Sequence, residues 1–423
     1  MADPANAPLK KSVGILIMTV LVPFGIGYYM SYLFRTVNAI ISPQLVADVG
    51  LTPGDLGLMT SAYFITFALV QLPLGIILDR FGPRKVQAAL LIVAAIGASL
   101  FAFGNDAITL AVGRGLIGIG VSGCLMAALK ANVLWFPSEK IPLVNGIIFA
   151  FGTFGALSTT VPLEILVQTV DWRTVFWWLS GISVLSAVLI YALVPEKAYT
   201  AQAGVAGQSA FAGQIADLKQ VYCSAFFWRL SFMVLLHNGV FLSYQALWAA
   251  PWLRDVAGLD RNGVAEAMLM FNVGMFAGVL SIGLLAERLQ KHGIPTIVPA
   301  VAGIAISIII QVMFASAWVA YPAILCLVWG YFGSSSTLAY AVLNQHFPQN
   351  LTGRVNTAQN MLTFVAAFAV QWLAGVIIGS YPAPSAGLYS ADGHQMTLII
   401  FICIEIAGLA YFLWPRRRGD GLP

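Results

Sequence analysis

Charge is what this sequence has least of. Only 9% of its 423 residues are Asp, Glu, Lys or Arg, against roughly a quarter in an ordinary soluble protein. A chain so poor in charge cannot clothe a soluble globule. Cysteine is also scarce. Cys124, Cys223, Cys326 and Cys403 stand singly, which argues against a disulfide framework or a CxxC metal site. No glycine-rich phosphate loop occurs, so coupling to ATP has no support. No nucleophile–base pair or clustered metal-ligand motif speaks for enzymatic chemistry. The start, MADPANAPLKKSVG, has no small-residue cleavage site after a short apolar core, so a removable signal peptide is not expected.

What the chain has instead is apolar length. Hydrophobic residues make up 59% of it, and its mean hydropathy is +0.86. A membrane-spanning helix needs about 20 apolar residues. Twelve such stretches are expected, near 13–42, 55–78, 86–104, 108–136, 143–168, 174–194, 228–252, 262–286, 294–315, 318–345, 355–380 and 396–414. The expected fold is an all-α membrane protein of twelve transmembrane helices. A polar gap rich in Ala, Gly and Gln divides them, giving a six-helix bundle over 1–194, a linker over 195–225 and a second bundle over 226–423.

The net charge of +4 says little, because the placement of charge decides more in a membrane protein. With a cytoplasmic amino terminus, fifteen of the 21 basic residues fall on that side and only Arg173, Arg254 and Arg261 on the other. The positive-inside rule then puts both termini and the linker in the cytoplasm. Arg35, Arg114 and Lys130 lie within spans.

The two halves echo each other. A shift of 208 residues lays SPQLVADVGL (Ser42–Leu51) on APWLRDVAGL (Ala250–Leu259), and Gly75, Asp79 and Arg80 on Gly283, Glu287 and Arg288. A shift of 211 lays Phe136-Pro137 on Phe347-Pro348 and Val144-Asn145 on Val355-Asn356. Matched landmarks in both halves argue for a duplicated, pseudo-symmetric six-span unit. Parallel repeats of this kind, with a site between them, are a transporter architecture.

Between the second and third spans stands GIILDRFGPRK, from Gly75 to Lys85. It resembles the signature loop of the major facilitator superfamily, and GLLAERLQKHG between the eighth and ninth spans resembles its degenerate second copy. RGLIGIG (Arg114–Gly120) is similar to that superfamily's fourth-span motif, and WFPSEK (Trp135–Lys140) to a loop after span four. The resemblance implies two pseudo-symmetric bundles working by alternating access. It implies a conformational latch of Gly75, Asp79, Arg80, Gly82, Arg84 and Lys85, echoed by Glu287 and Arg288, with Gly75 allowing close helix approach. Asp79 would pair with nearby basic residues and helix N-termini. Arg114 would stabilise the bundle or assist proton movement. Span five carries GTFGALSTTVP, with Ala156 where drug/proton antiporters of the superfamily have proline, which lowers a drug-efflux reading.

A charge at membrane depth costs at least about 2.5 kcal/mol and marks a candidate site. Arg35, in YLFRTVN, resembles the Tyr-x-x-Arg of the organic-anion branch. A guanidinium is always charged and binds planar anions through two bonds. Asn38 is one turn away on nearly the same face. Further substrate candidates are His237, Tyr244 and Gln245 in span seven, and Tyr331 and Ser335 in span ten. Glu164, Glu405 and His237 are proton-carrying candidates. Lys130 is expected to snorkel to the cytoplasmic interface.

The leading reading is proton-coupled uptake of a small organic anion by a monomer in a bacterial inner membrane. No cofactor and no nucleic-acid partner are expected. Its rivals are a copper importer using Met233, His237, Met268 and Met270, whose thioethers suit Cu(I), and drug or siderophore efflux.

Overall fold

The computed structural model describes residues 13–195, 219–348, 351–385 and 387–414. Most of the expected linker lies outside them, as do Lys10, Lys11, Lys197 and Arg416 to Arg418.

Ten described helices are long and apolar enough to cross a membrane, and a bent pair adds an eleventh. Helix α1 is Gly14–Val49. The next unbroken run is Pro53–Phe103. At 1.5 Å per residue, 51 residues would reach about 76 Å, more than twice the hydrocarbon thickness. It is two helices joined at Gly82, whose φ of 78° and ψ of 158° belong to a region open essentially to glycine alone. We call the arms α2 (53–81) and α3 (83–103).

Helix α4, Ala107–Trp135, shows that the chain reverses there. Along α4, Gly113, Gly120 and Gly123 meet Phe101, Ala94 and Leu90 of α3, in descending order. Gly118, Ser122 and Gly123 meet Tyr63, Gln71 and Leu74 of α2, in ascending order. So α2 and α3 run antiparallel, and counting them as two crossings is consistent with the twelve expected.

The fifth crossing, α5, is Leu143–Ser158 and Val161–Val167, bent by 41°. The rest of the first half is α6, Trp172–Leu193. The second half comprises α7 (Ala225–Asp255), α8 (Arg261–Lys291), α9 (Ile297–Ala315), α10 (Pro322–His346), α11 (Thr352–Gly379) and α12 (Ala391–Leu413). Large apolar residues such as Leu69, Ile108 and Leu185 point outward, as lipid-facing residues do.

The repeat is visible in the backbone. Gly50 and Gly258, 208 apart, both take left-handed φ values of 72° and 67°. Two residues on, Thr52 caps Asp55 N at the start of α2 and Asp260 caps Gly263 N at the start of α8. Gly82 and Gly293, 211 apart, have φ of 78° and 80°. Phe136 and Phe347 end α4 and α10 in the same extended conformation.

The halves meet from mid-height to the end opposite the termini. There Gly57 of α2 lies against Gln371 and Gly375 of α11, and Gly375 against Pro53. Gln168 donates a hydrogen bond to Asn262 across the halves at 3.2 Å. At the other end the picture differs from the expectation for Gly75. A Cβ added at Gly75, or at its repeat mate Gly283, would meet nothing within 4 Å. In this conformation neither glycine brings helices together.

Candidate functional site

Arg35 lies at mid-height of α1 and is only 7% exposed. Tyr32, one helical turn before it, presents its ring to the same side, with the guanidinium carbon 4.5 Å from the ring centroid. Phe364 of α11 and Phe67 of α2 supply two more rings, at 5.3 and 5.9 Å. Phe67 and Phe364 touch each other, with centroids 4.3 Å apart. The cage is therefore built from both halves. Arg35 Nε has no hydrogen-bond partner, and no carboxylate among the described residues pairs with this side chain.

A second buried cation stands close behind. Arg114 of α4 is 1% exposed and donates from Nη1 to the carbonyl of Phe34, at 2.7 Å. Its guanidinium carbon lies 5.2 Å from the ring of Tyr63. Tyr63 stacks on Phe67 and donates its hydroxyl to Ser31 O. Arg114 thus braces the α1 backbone beside Arg35. Attraction between charges is strengthened where water is excluded, so the chemistry this arrangement offers is capture of an anion.

The other sequence candidates do not all gather here. Asn38 is turned to α2, donating to Thr60 Oγ1 at 3.0 Å. Gln245 donates to Asn272 of α8 at 2.9 Å. Tyr244 is fully buried against Trp329, with its hydroxyl unpartnered. The Tyr331 hydroxyl is bonded to Ser281 of α8, and Ser335 packs on Gly303 of α9. These two residues lie on the face of α10 that packs against α8 and α9, and the Arg35 cage draws nothing from that face. The rotation of α10 about its axis, invisible in its composition, decided this.

His237 and Glu405 come together. His237 Nδ1 is 2.9 Å from Glu405 Oε2, and Nε2 is 3.1 Å from the carbonyl of Gly333. Both ring nitrogens are therefore engaged within the second half. Glu164 is 4% exposed and lines a cleft between the halves with Gln44, Arg254 and Arg261. Met233 and Met268 are buried and Met270 is half-buried. Among the described residues no three His, Cys, Asp or Glu side chains cluster as metal ligands.

In the loop segment, Asp79 forms an ion pair with Lys130 of α4. The Lys130 ammonium thus extends to the exposed acid at the end of α2, the direction expected of a side chain reaching for the cytoplasmic interface. Arg84 donates from Nε to Tyr191 O at 2.9 Å and covers that residue's ring. Arg80 lies over the neighbouring Phe81 ring. Lys85 and Arg288 are exposed. Glu287 pairs with Lys291 one turn on, at 2.7 Å.

Sequence reasoning missed Phe67, Phe364 and Tyr63. Tyr32 was within reach, as the aromatic one turn before a membrane-depth arginine. Nothing local marks Phe364, which joins the cage only because the halves close on each other.

Two duplicated six-helix bundles around a buried, unneutralised cation define the architecture of a membrane transport protein. The profile of the Major Facilitator Superfamily matches residues 24–371, and the chain belongs to that superfamily. It is 27% identical over 277 residues to a Cupriavidus necator protein named "Probable sulfoacetate transporter", covering 63% of this chain and 64% of that protein. It is 21% identical over 405 residues to an Escherichia coli protein named "Probable L-galactonate transporter", covering 92% and 87%. The match to the first relative spans less than two thirds of that relative's length. Among solved structures, a bacterial homologue of the human lysosomal transporter Spinster, inward-facing and occupied, superposes with a TM-score of 0.71. That match has 14% identity and covers 93% of this chain and 95% of the other.

Proposed function

We propose that this chain is a secondary transporter that takes up a small organic anion together with protons, by alternating access, with Arg35 as the anchor for the anion. The observation that carries the reading is the Arg35 guanidinium, buried in an aromatic cage formed by both halves, with no carboxylate partner among the described residues. A buried charge left unpaired is expensive, and a bound carboxylate or sulfonate would neutralise it through two parallel hydrogen bonds. The names of two relatives, for sulfoacetate and L-galactonate, agree with a small acid.

In this reading both termini and the linker over 195–225 are cytoplasmic, and the membrane is a bacterial inner membrane. The protein works as a monomer. The bundles over 1–194 and 226–423 rock about the Arg35 level. The contacts at Gly57, Gly375, Gln168 and Asn262 close the outer side, so the conformation is inward-facing. Asp79, Arg80, Gly82, Arg84 and Lys85, with Glu287 and Arg288, latch the cytoplasmic side in the other state. There Gly75 would meet its neighbour.

The copper alternative is weakened because both His237 nitrogens are engaged with Glu405 and Gly333. The test is counterflow in proteoliposomes loaded with carboxylates, sulfonates or Cu(I). Exchange of a small acid that disappears in Arg35→Ala supports the reading. Copper exchange sensitive to Met233→Ala, with no acid exchanged, would replace it.

A further inference from the structure

The second half contains an ionisable pair that takes no part in the Arg35 cage. Helix α12 packs against α7, α9 and α11. The side chains of His237 and Glu405 are 0% and 1% exposed. Their bonds are to each other and to Gly333 O. Glu405 Oε1 has no partner.

The hydrogen bonds fix the proton count. A carbonyl oxygen only accepts, so His237 Nε2 carries a hydrogen and donates it to Gly333. The contact from Nδ1 to Oε2 then needs one proton between the two atoms. It sits on Glu405, facing a neutral imidazole, or on Nδ1, facing a carboxylate. Both arrangements leave the pair neutral overall. Remove that proton and an imidazole lone pair faces a carboxylate oxygen at 2.9 Å, with a net negative charge away from water. Add a second and the pair carries a net positive charge away from water. Each departure is penalised by burial. The geometry is that of a pair holding one proton.

The pair is also attached to an interruption in a helix. Gly333 ends one α-helical stretch of α10, and Ser334–Thr337 continues as a tighter 3-10 turn before the α-helix resumes at Leu338. Such a mid-helix stretch often marks a hinge. It is clamped on both sides, since a Cβ at Gly278 would stand 2.3 Å from Ser334 Oγ and one at Gly303 2.3 Å from Ser335 Oγ. Ser336 Oγ lies 3.1 Å from the same Gly333 carbonyl and 2.6 Å from Asn238 Oδ1.

We propose that His237 and Glu405 form a proton-binding site that carries one proton through the transport cycle and exchanges it with water only when α7, α10 and α12 move apart. The proton is taken from water and returned to water, and no other reactant is needed. Releasing it inside the closed geometry would leave an unpaired buried carboxylate, so release and opening are one event. This role rests on the proton-coupled reading above.

The other titratable groups on the packed elements make no bond to the pair. On α7, Arg229 binds Phe412 O and Trp414 O, and Arg254 and Asp255 bind each other at the far end, where His394 of α12 joins Asp255. Tyr244 of α7 packs on Trp329. Helix α10 carries Cys326, Tyr331, Tyr340 and His346, α11 carries Arg354, α12 also carries Asp392, Cys403 and Tyr411, and α9 carries none. Of these, neither His237 nor Glu405 bonds to any.

The test is infrared difference spectroscopy of the full-length protein in lipid during a pH titration, on wild type, Glu405→Gln and His237→Gln. The expected result is a titrating Glu405 band in wild type, of a protonated carboxyl or of a carboxylate paired with imidazolium, that is absent in Glu405→Gln and shifted in His237→Gln. Should Glu405→Gln fail to fold, His237→Gln alone carries the comparison. An unchanged band in the variant that folds would overturn the proposal. In proteoliposomes with clamped potential and sulfoacetate as the probe, wild type accumulates about tenfold per unit of pH gradient for one coupled proton. Glu405→Gln is expected to lose that factor, and keeping it would equally overturn the proposal. Should wild type ignore sulfoacetate and other acids, the transport reading fails, while the infrared comparison still decides the pair.

Discussion

Replacing Arg35 by alanine is expected to weaken anion binding about 150-fold while leaving the empty protein about as stable as before. The two effects can be sized separately. A carboxylate held bidentately would lose two charge-assisted hydrogen bonds, each worth about 1.5–3 kcal/mol. The lower end, about 3 kcal/mol in total, raises Kd about 150-fold. In the empty protein, three cation–π contacts vanish, at about 0.5–1 kcal/mol each. Against that, an arginine no longer has to be kept at membrane depth, which on insertion scales costs about 2.5–3.5 kcal/mol. The terms nearly cancel, so the melting free energy of apo Arg35→Ala stays within about 1 kcal/mol of wild type. Thermal unfolding in detergent with and without the small acid that the counterflow assay selects reads both. Ligand at about 100 times the wild-type Kd stabilises by about 2.7 kcal/mol, and after a 150-fold loss by about 0.3 kcal/mol. Arg35→Lys keeps the charge without the fork and falls between. An Arg35→Ala protein several kcal/mol less stable, with its ligand shift intact, would make Arg35 a structural residue and refute the reasoning.

Three further outcomes follow. Asp79→Asn breaks an ion pair whose acid is 72% exposed. Pairs of that kind contribute about 0–1 kcal/mol, so melting hardly changes while transport slows; unaltered turnover would remove Asp79 from the latch. Gly120→Ala places a Cβ 2.3 Å from the Ala94 backbone nitrogen, and overpacking of this kind lowers stability by about 1–3 kcal/mol, seen as a reduced melting temperature. The pair Gln168→Cys and Asn262→Cys, bridged by a bifunctional thiol reagent, is expected to hold the outer side shut and stop uptake. Full uptake by fully bridged protein would show that this end does not open.

The crossings were legible because hydropathy is a local property and each helix writes its own. The repeat was legible because Gly50 and Gly258 meet the same backbone demand at the same place in each copy. Arg35 stood out because charge is scarce in apolar runs. The aromatic cage was not legible in the same way. Phe364 is an ordinary span residue until the halves close and set it beside Phe67 and Arg35. The placing of Tyr331 and Ser335 was not legible for a related reason, since helix rotation decides which face meets which neighbour, and α10 turns theirs to α8 and α9. His237 and Glu405 were each noticed singly, but only packing made them a pair.

The central claim is that an anion is held at Arg35 between the two halves. A cryo-electron microscopy structure of the protein saturated with the small acid that the counterflow assay selects tests it most directly. The account predicts ligand density within hydrogen-bond distance of the Arg35 guanidinium, bounded by Tyr32, Phe67 and Phe364. Ligand density elsewhere in the bundle, with the Arg35 cage empty, would contradict it.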